Sequence, residues 1–521
     1  MLHTSMLNFR KVGLLTIIGG VLLLLNTLYY VLQVSYFGIS RDIENYFVAL
    51  GLCTLALSLT AVGHFGQMAL PLYLECKETY NKAIAEEIFS VILNRMFLFS
   101  LLITCVLYLL APFLIQCFVP GFAPKDYLRI ESLLSWMLLS IPLQVINVLM
   151  ANLLNAERVY GRLELAAVLR VSISIALLVI LFESLGVYVL VISYLLESIL
   201  FIFVNVYLLH SLGFGYRLGL HSKHFQGGVF FKEGSVAYWR NGSRELFLFA
   251  LTASLSYLPE GILAIYKYIQ AIFQKVAALV MRPMQMVFFT RMAEGYARQS
   301  TGQKSLLRQA LNFCFLYALV VVVYSYSFGE DILQILWSEH YQNRYKNIAY
   351  AFLVLQMISL VPFAIEQFFF KTALVYKQVR AIYFALGVAY ILSAIYCYGV
   401  VKYYGVGGLE SVIIMTPTIL AISTVVVLYR HDHNILQIFE ANYFFRLGII
   451  ILIAQVAGHF INVLIPYMDI GFSRRVNILF SFGIKSVCLA CVFLLEMFLV
   501  MPEVLSRAGV GDSLCSSNGH R

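Results

Sequence analysis

"ILAIYKYIQAIFQKVAALVMRPMQMVFF", residues 262–289, is long enough to cross a bilayer but is not uniformly apolar. A spanning helix needs about 20 mostly apolar residues. This one also carries Lys267, Lys275 and Arg282 with Gln270, Gln274 and Gln285. At about 100° per residue all six fall within one arc of roughly 140°, and Ile, Phe, Leu, Val, Ala and Met fill the rest. Lys267 and Arg282 can snorkel to opposite interfaces, but Lys275 lies too near the middle. The stretch reads as a membrane helix that turns a cationic, amide-bearing stripe toward a cavity.

The composition places this helix in a membrane protein. Soluble domains are about 45–50% apolar and roughly 25% charged; this chain is 61% hydrophobic and 12% charged. Apolar runs long enough to span lie near 12–36, 46–72, 90–118, 130–154, 163–184 and 187–211. After a polar interval at 212–235 they resume near 237–258, 262–289, 308–328, 347–370, 379–400, 407–429, 444–466 and 477–500. The reading is an all-α polytopic membrane protein of about fourteen transmembrane helices.

Charge asymmetry orients it. With the N-terminus inside, the outside loops hold eight of the 36 Lys and Arg: Arg41, Lys125, Arg129, Arg344, Lys346, Lys402, Arg474 and Arg475. Both termini are therefore expected in the cytoplasm. The net charge of +9 fits basic loops facing an anionic inner leaflet better than nucleic acid. "ESLGVYVLVISY" (183–194) resembles "KYYGVGGLESVI" (402–413), a faint repeat that suggests two six-helix halves followed by two further helices. The expected organisation is an N-terminal lobe at 1–212, a cytoplasmic linker at 213–235, a C-terminal lobe at 236–432, and two last helices with a tail at 433–521.

Charges inside spans mark a cavity or a partner. In "VAYWRNGSRELFLFAL" (236–251), a helix crossing about 30 Å must begin near residue 238 or 239, which makes Arg240 and Arg244 helical and places them on one face. They read either as an interfacial collar or as the cationic mouth of the same cavity. Arg170 lies within the fifth span. His64, Gln67 and Glu366 are further intramembrane candidates for ion coupling or gating, although a lone His more often packs with a hydrogen bond.

Several chemistries are missing. There is no GxxxxGK[ST] phosphate loop, no HExxH, no nucleophile elbow and no large outside loop for an enzyme site. The nine cysteines are scattered, and the Cys488–Cys491 CxxC lies inside an apolar run, so neither a metal nor a cofactor is expected.

Three stretches are more specific: "YFGISRDIENYFVAL" (36–50), "GHFGQMALPLYLECK" (63–77) and "LAPFLIQCFVPGFA" (110–123). They resemble the MurJ/MviN lipid II flippase family of the MOP exporter superfamily. The family pattern matches at Phe37, Gly38, Phe47, Gly63, Phe65, Gln67, Pro71, Glu75 and Lys77, and at Pro120, Gly121, Phe122 and Ala123. It continues more loosely through "LLNAERVYGR" and "VMRPMQMVFFTRMAEG".

The resemblance implies a V-shaped pair of six-helix lobes around a central cationic cavity, with two last helices beside a lipid-tail groove. It implies alternating access in the bacterial cytoplasmic membrane and a polyprenyl-diphosphate-linked saccharide as substrate. The family acid after Phe-Gly is Glu44, here a coupling or gating candidate. The family arginines of helices one, two and eight fall at Tyr29, at Leu57 or Ser58, and at Gln270, and the helix-eight glutamate falls at Phe273.

The expected cavity set is therefore Lys267, Lys275, Arg282, Arg240, Arg244, Arg170, Gln270 and Gln274. Lipid II and an exopolysaccharide or O-antigen unit both remain open as cargo. The expected protein is a transporter and not an enzyme, working as a monomer among membrane lipids, with envelope-synthesis proteins as possible partners. A MATE-type multidrug/cation antiporter is the alternative.

Overall fold

The computed structural model describes residues 2–500 apart from 158, 224, 226, 229, 231–235, 298–302, 338–342, 440 and 466–473. The side chains of some further helical residues, among them 2–17, Gln67, Arg282 and 494–500, lie outside the described set. Every regular element described is helical: α1 (Leu2–Phe37), α2 (Arg41–Leu59), α3 (Val62–Thr79), α4 (Lys82–Phe118), α5 (Pro124–Leu138), α6 (Ser140–Ala156), α7 (Tyr160–Leu185) and α8 (Tyr188–Ser211). Then follow α9 (Val236–Ser256), α10 (Ile262–Ala297), α11 (Gln303–Trp337), α12 (Asn343–Ile358), α13 (Leu360–Val375), α14 (Val379–His431), α15 (Ala441–Leu464) and α16 (Arg474–Val500).

Eleven stretches of helix are long and apolar enough to cross a membrane. One of them, α14 with 53 residues, breaks at Gly405 into two membrane lengths. Helix α9 carries Arg240, Arg244 and Glu245 in its first half, and the described apolar part of α16 is Asn477–Phe493. Counting the break and these two gives the fourteen crossings expected. Lipid explains the large apolar side chains left uncovered, such as Leu24, Leu109, Ile180 and Leu464.

The repeat has a backbone counterpart. Gly186, between α7 and α8, has φ 52° and ψ −133°; Gly405 has φ 59° and ψ −129°. This mirror-β conformation is open to glycine and strained for any residue with a Cβ. Two equivalent sharp turns thus recur where the sequence repeats.

The described chain clusters into two compact units: residues 1–265 with 390–408, and 266–389 with 409–521. In the first, α3, α4 and α6 share a core of Phe65, Tyr73, Phe89, Ile92, Met96, Leu149 and Leu153. At 37 residues α4 is about 55 Å long, more than a bilayer needs, and its first turns carry the start of the polar linker. There Glu86 accepts from the Gly215 N–H (3.1 Å), Asn94 donates to the Gly219 carbonyl (2.9 Å), Arg95 donates to the Leu220 carbonyl (2.7 Å), and Arg217 pairs with Glu87 (2.8 Å).

In the second unit, α11 packs against α12, α13, α15 and α16. A buried ion pair, Lys485 Nζ to Asp331 Oδ2 at 2.9 Å, ties α16 to α11. The Tyr324 hydroxyl donates to the Ser486 carbonyl (2.7 Å) and reinforces the same contact. Lys304, in the first turn of α11, pairs with Asp432, just past the end of α14, at 2.8 Å. Burial raises the Asp432 carboxyl, but the Lys304 and Asn434 N–H donors outweigh it and hold the group below its ordinary value.

Candidate functional site

Helix α2 begins at the end of the first unit that the charge pattern assigns to the outside, and α10 begins beside it. Their free N–H groups form a reciprocal lock. The carboxylate of Glu44, 1% exposed, accepts from the N–H groups of Gly261 (2.8 Å) and Ala264 (3.4 Å) at the start of α10. Glu260 accepts in turn from the Arg41 N–H at the start of α2 (3.0 Å). A helix N-terminus carries unpaired donors and partial positive charge, so each acid satisfies the other's helix. The Arg41 guanidinium pairs with Glu44 (2.8 Å) and lies 4.1 Å from the centre of the Phe122 ring.

Gly121 closes the lock. Its N–H donates to Ser256 Oγ (3.0 Å), and a Cβ there would lie 2.3 Å from the Ser256 carbonyl oxygen. The stretches at 36–50 and 110–123 therefore converge on the α9–α10 turn.

At the opposite end of α3, Lys77 and Tyr73 both reach Glu157, at 2.6 and 2.8 Å. Burial raises the Glu157 carboxyl, but the two donors outweigh it and hold the group below its ordinary value. This pair joins the 63–77 stretch to "LLNAERVYGR". His64 is half-buried on α3, and the Gln67 side chain lies outside the described residues.

On α9, Arg240 is half-buried and Arg244 is exposed, whereas Glu245, next to Arg244, is buried and accepts from Ser58 Oγ at 2.9 Å. Ser58 is one of the two positions matched above to an arginine of the resembled family. Here that position donates to a buried acid.

Deeper in the first unit lies a cluster that sequence reasoning only half found. Arg170 on α7 pairs with Glu197 on α8, Nη1 to Oε2 at 3.4 Å. The Ser174 hydroxyl also donates to Glu197. The phenols of Tyr29, Tyr46 and Tyr194 lie within electrostatic reach of Glu197. Cys53, Ser140 and Gln144 extend the polar group, with Gln144 donating to Ser140 Oγ at 3.2 Å. Arg170 was anticipated and Glu197 was not, although an acid alone in the apolar run "SYLLESIL" is itself a signal.

The second unit holds the stripe. Lys267, Gln270 and Gln285 are half-buried, and Gln274 and Lys275 are exposed. Tyr268, Ile269, Phe273 and Ala277, outside the polar arc, are buried, and so are Met281 within it and Phe288 at its edge. Burial on α10 follows the polar arc only in part, since Leu279, outside it, is 56% exposed. The Arg282 side chain lies outside the described residues. Glu366 is buried on α13, where Gln367 donates to it at 2.5 Å, and Gln285 reaches Gln367 at 3.4 Å. The matched family position Phe273 packs edge-on against Phe363 at 5.6 Å. No group of three or more His, Cys, Asp or Glu side chains suited to a metal occurs among the described residues.

Comparison with known proteins places this arrangement. A solved structure described as lipid II flippase MurJ in an inward closed conformation superposes with TM-score 0.75 at 16% identity, covering 94% of this chain and 99% of that one. An inward-facing multidrug resistance MATE family transporter of the MOP superfamily gives TM-score 0.65 at 15% identity, covering 80% and 95%. A MOP superfamily transporter from Pyrococcus furiosus, described by the reverse polarity of its binding pocket, gives 0.57 at 15%, covering 82% and 96%. A search of curated protein sequences finds no match. The family model for lipid II flippase MurJ matches residues 33–479. With that match across most of the chain, the protein belongs to the MurJ lipid II flippase family.

Proposed function

We propose that this multi-pass membrane protein is a flippase for lipid-linked saccharide precursors, carrying a polyprenyl-diphosphate headgroup from the inner to the outer leaflet by alternating access. The family match over residues 33–479 carries this reading. The stripe on α10 supports the headgroup chemistry. A diphosphate leaving water needs charge-assisted donors, and Lys267 and Lys275 with Gln270 and Gln274 supply cations and amides on the least buried face of an otherwise packed helix. Arg282 belongs to the same stripe by helical period, and Arg240, Arg244 and Arg170 complete the proposed set. The prenyl chain stays in lipid and needs no polar partner.

The same reading takes the N-lobe as 1–212, the C-lobe as 236–432, and the location as the bacterial cytoplasmic membrane with both termini inside. It takes transport, without catalysis, as the activity and a monomer as the working unit. The reciprocal caps between α2 and α10 are its outer gate, because opening there separates Glu44 and Glu260 from the helix ends they satisfy. A MATE-type antiporter for cationic drugs is the second reading, supported by the shared fold. The cations along α10 repel such cargo.

The test is transbilayer movement of a fluorescent prenyl-diphosphate-linked sugar in vesicles holding the purified protein. Native protein is expected to move it, and a Lys275→Gln, Arg282→Gln double variant to move it at least tenfold more slowly. Equal rates in correctly inserted native and double-variant protein overturn the assignment of the stripe. Complementation of cells depleted of their lipid II flippase, set against cells lacking an O-antigen flippase, decides the saccharide.

A further inference from the structure

Helices α7 and α8 hold an ion pair that is incomplete in a way a structural salt bridge need not be. Arg170 meets Glu197 through one nitrogen, at 3.4 Å. Its Nε is buried with no hydrogen-bond acceptor among the described residues, although arginine can present a two-pronged fork to a carboxylate or phosphate. The Arg170 side chain is nevertheless 41% exposed, while that of Glu197 is 20% exposed. A guanidinium within a membrane span does not leave that much surface against hydrocarbon, so its open side faces water or an anion.

Glu197 is differently placed. Besides Arg170 it has the Ser174 hydroxyl, which also donates to the Arg170 carbonyl at 3.2 Å. Around it are neutral groups: Tyr29 from α1, Tyr46 from α2, and Tyr194 from α8 itself. Of the other helices packed on α8, α6 contains no charged residue. The charged residues of α5 (Lys125, Asp126, Arg129 and Glu131) lie in its first two turns and show no interaction with Glu197. Arg170 is thus the one charged partner of Glu197 among the described residues.

An unpaired carboxylate in such surroundings is costly, and it neutralises by binding a proton. We infer that Arg170 and Glu197 form an exchangeable pair in which the diphosphate of the cargo takes Arg170 while Glu197 takes a proton. Substrate and proton then share the loaded state. The balance is simple: Glu197 carboxylate plus one proton from water gives the carboxylic acid, no covalent bond to the cargo forms, and release reverses both steps. Ser174 and the phenols can hydrogen-bond either form of the acid, because a hydroxyl both donates and accepts. This inference rests on the flippase reading and adds to it a coupled ion and a residue, Glu197.

The experiment measures equilibrium binding of a short-chain prenyl diphosphoryl N-acetylglucosamine to the purified full-length protein between about pH 5 and pH 8.5. This diphosphodiester does not titrate in that range, so any pH dependence belongs to the protein. Uptake of one proton on binding makes native affinity strengthen by up to about tenfold per unit of falling pH. Glu197→Gln is expected to bind at the native low-pH affinity with no pH dependence. Arg170→Gln is expected to lose at least tenfold in affinity.

Since Arg170→Gln alone leaves Glu197 without its cation, the Arg170→Gln, Glu197→Gln double variant is measured alongside it, and weak, pH-independent binding is expected. A native pH slope retained in Glu197→Gln, or native affinity in the double variant, overturns the inference while leaving the flippase reading intact. Failure of the native protein to bind or move any prenyl-diphosphate-linked sugar overturns the flippase reading itself.

Discussion

Two acid–arginine pairs in the first unit, one within a single helix turn and one between two helices, differ in how they are satisfied. Glu44 with Arg41 sits at a helix junction, where backbone N–H groups of Gly261 and Ala264 share the carboxylate. Glu197 with Arg170 sits along two helices, where every backbone donor is already used inside the helix and only side chains remain. A carboxylate held by a helix end can let go only if that end moves. One held by side chains can change partner while the backbone stays still. The first pair suits a gate, and the second suits an exchangeable counter-ion.

This contrast breaks most directly on stability. Glu44→Ala removes a buried cap and the partner of Arg41 together, and about 2–3 kcal/mol should be lost in denaturant titration of the detergent-solubilised protein. Glu197→Gln keeps an acceptor for Ser174 and should cost less than about 1 kcal/mol by the same measurement. Equal losses would show that the two pairs are not different in kind.

The lock at the α2–α10 junction can be sharpened without touching a charge. Gly121→Ala puts a Cβ 2.3 Å from the Ser256 carbonyl oxygen, and backbone must move because no side chain stands there to rotate away. A loss of about 2 kcal/mol is expected, with faster hydrogen exchange at Gly261 and Ala264 as the specific sign that the lock has loosened.

The smallest effect concerns the far end of α3. The folded pKa of Glu157 lies below its ordinary value of 4.5. Its contribution is therefore complete above that value and is lost as pH falls through the folded pKa. Lys77 is 34% exposed and solvent screens the pair, so the contribution stays under about 1 kcal/mol. Between pH 7 and pH 5, Lys77→Met should differ from native by a constant amount, with the gap closing only below about pH 4.5. A gap that closes near neutrality would assign the effect to another group.

Much of this was legible in the sequence for clear reasons. Hydrophobic length fixes spans because lipid leaves the backbone no partner outside its own helix. The 3.6-residue period put Lys267, Gln270, Gln274, Lys275 and Gln285 on one arc, and none of these five is fully buried. The "GVYVL" and "GVGGL" repeat pointed to a shared turn because only glycine accepts that φ and ψ. What was not legible depends on how helices are rotated against one another. Glu44 reads only as a coupling or gating candidate until the start of α10, 217 residues away, is laid against it. Asp331 and Lys485, 154 residues apart, carry no sequence sign that they meet. Arg170 and Glu197 were each visible as a charge in an apolar run, but not that the two meet.

The sequence by itself determined a many-helix membrane protein, the positions where the chain turns, the polar face of α10 and the family motifs. Each follows from local rules of length, period and backbone freedom. Tertiary structure alone decided which charges are already satisfied, that Glu44 closes a helix end, and that Arg170 keeps donors in reserve beside Glu197. Satisfaction is a property of distance between side chains on different helices, and no one-dimensional pattern encodes it.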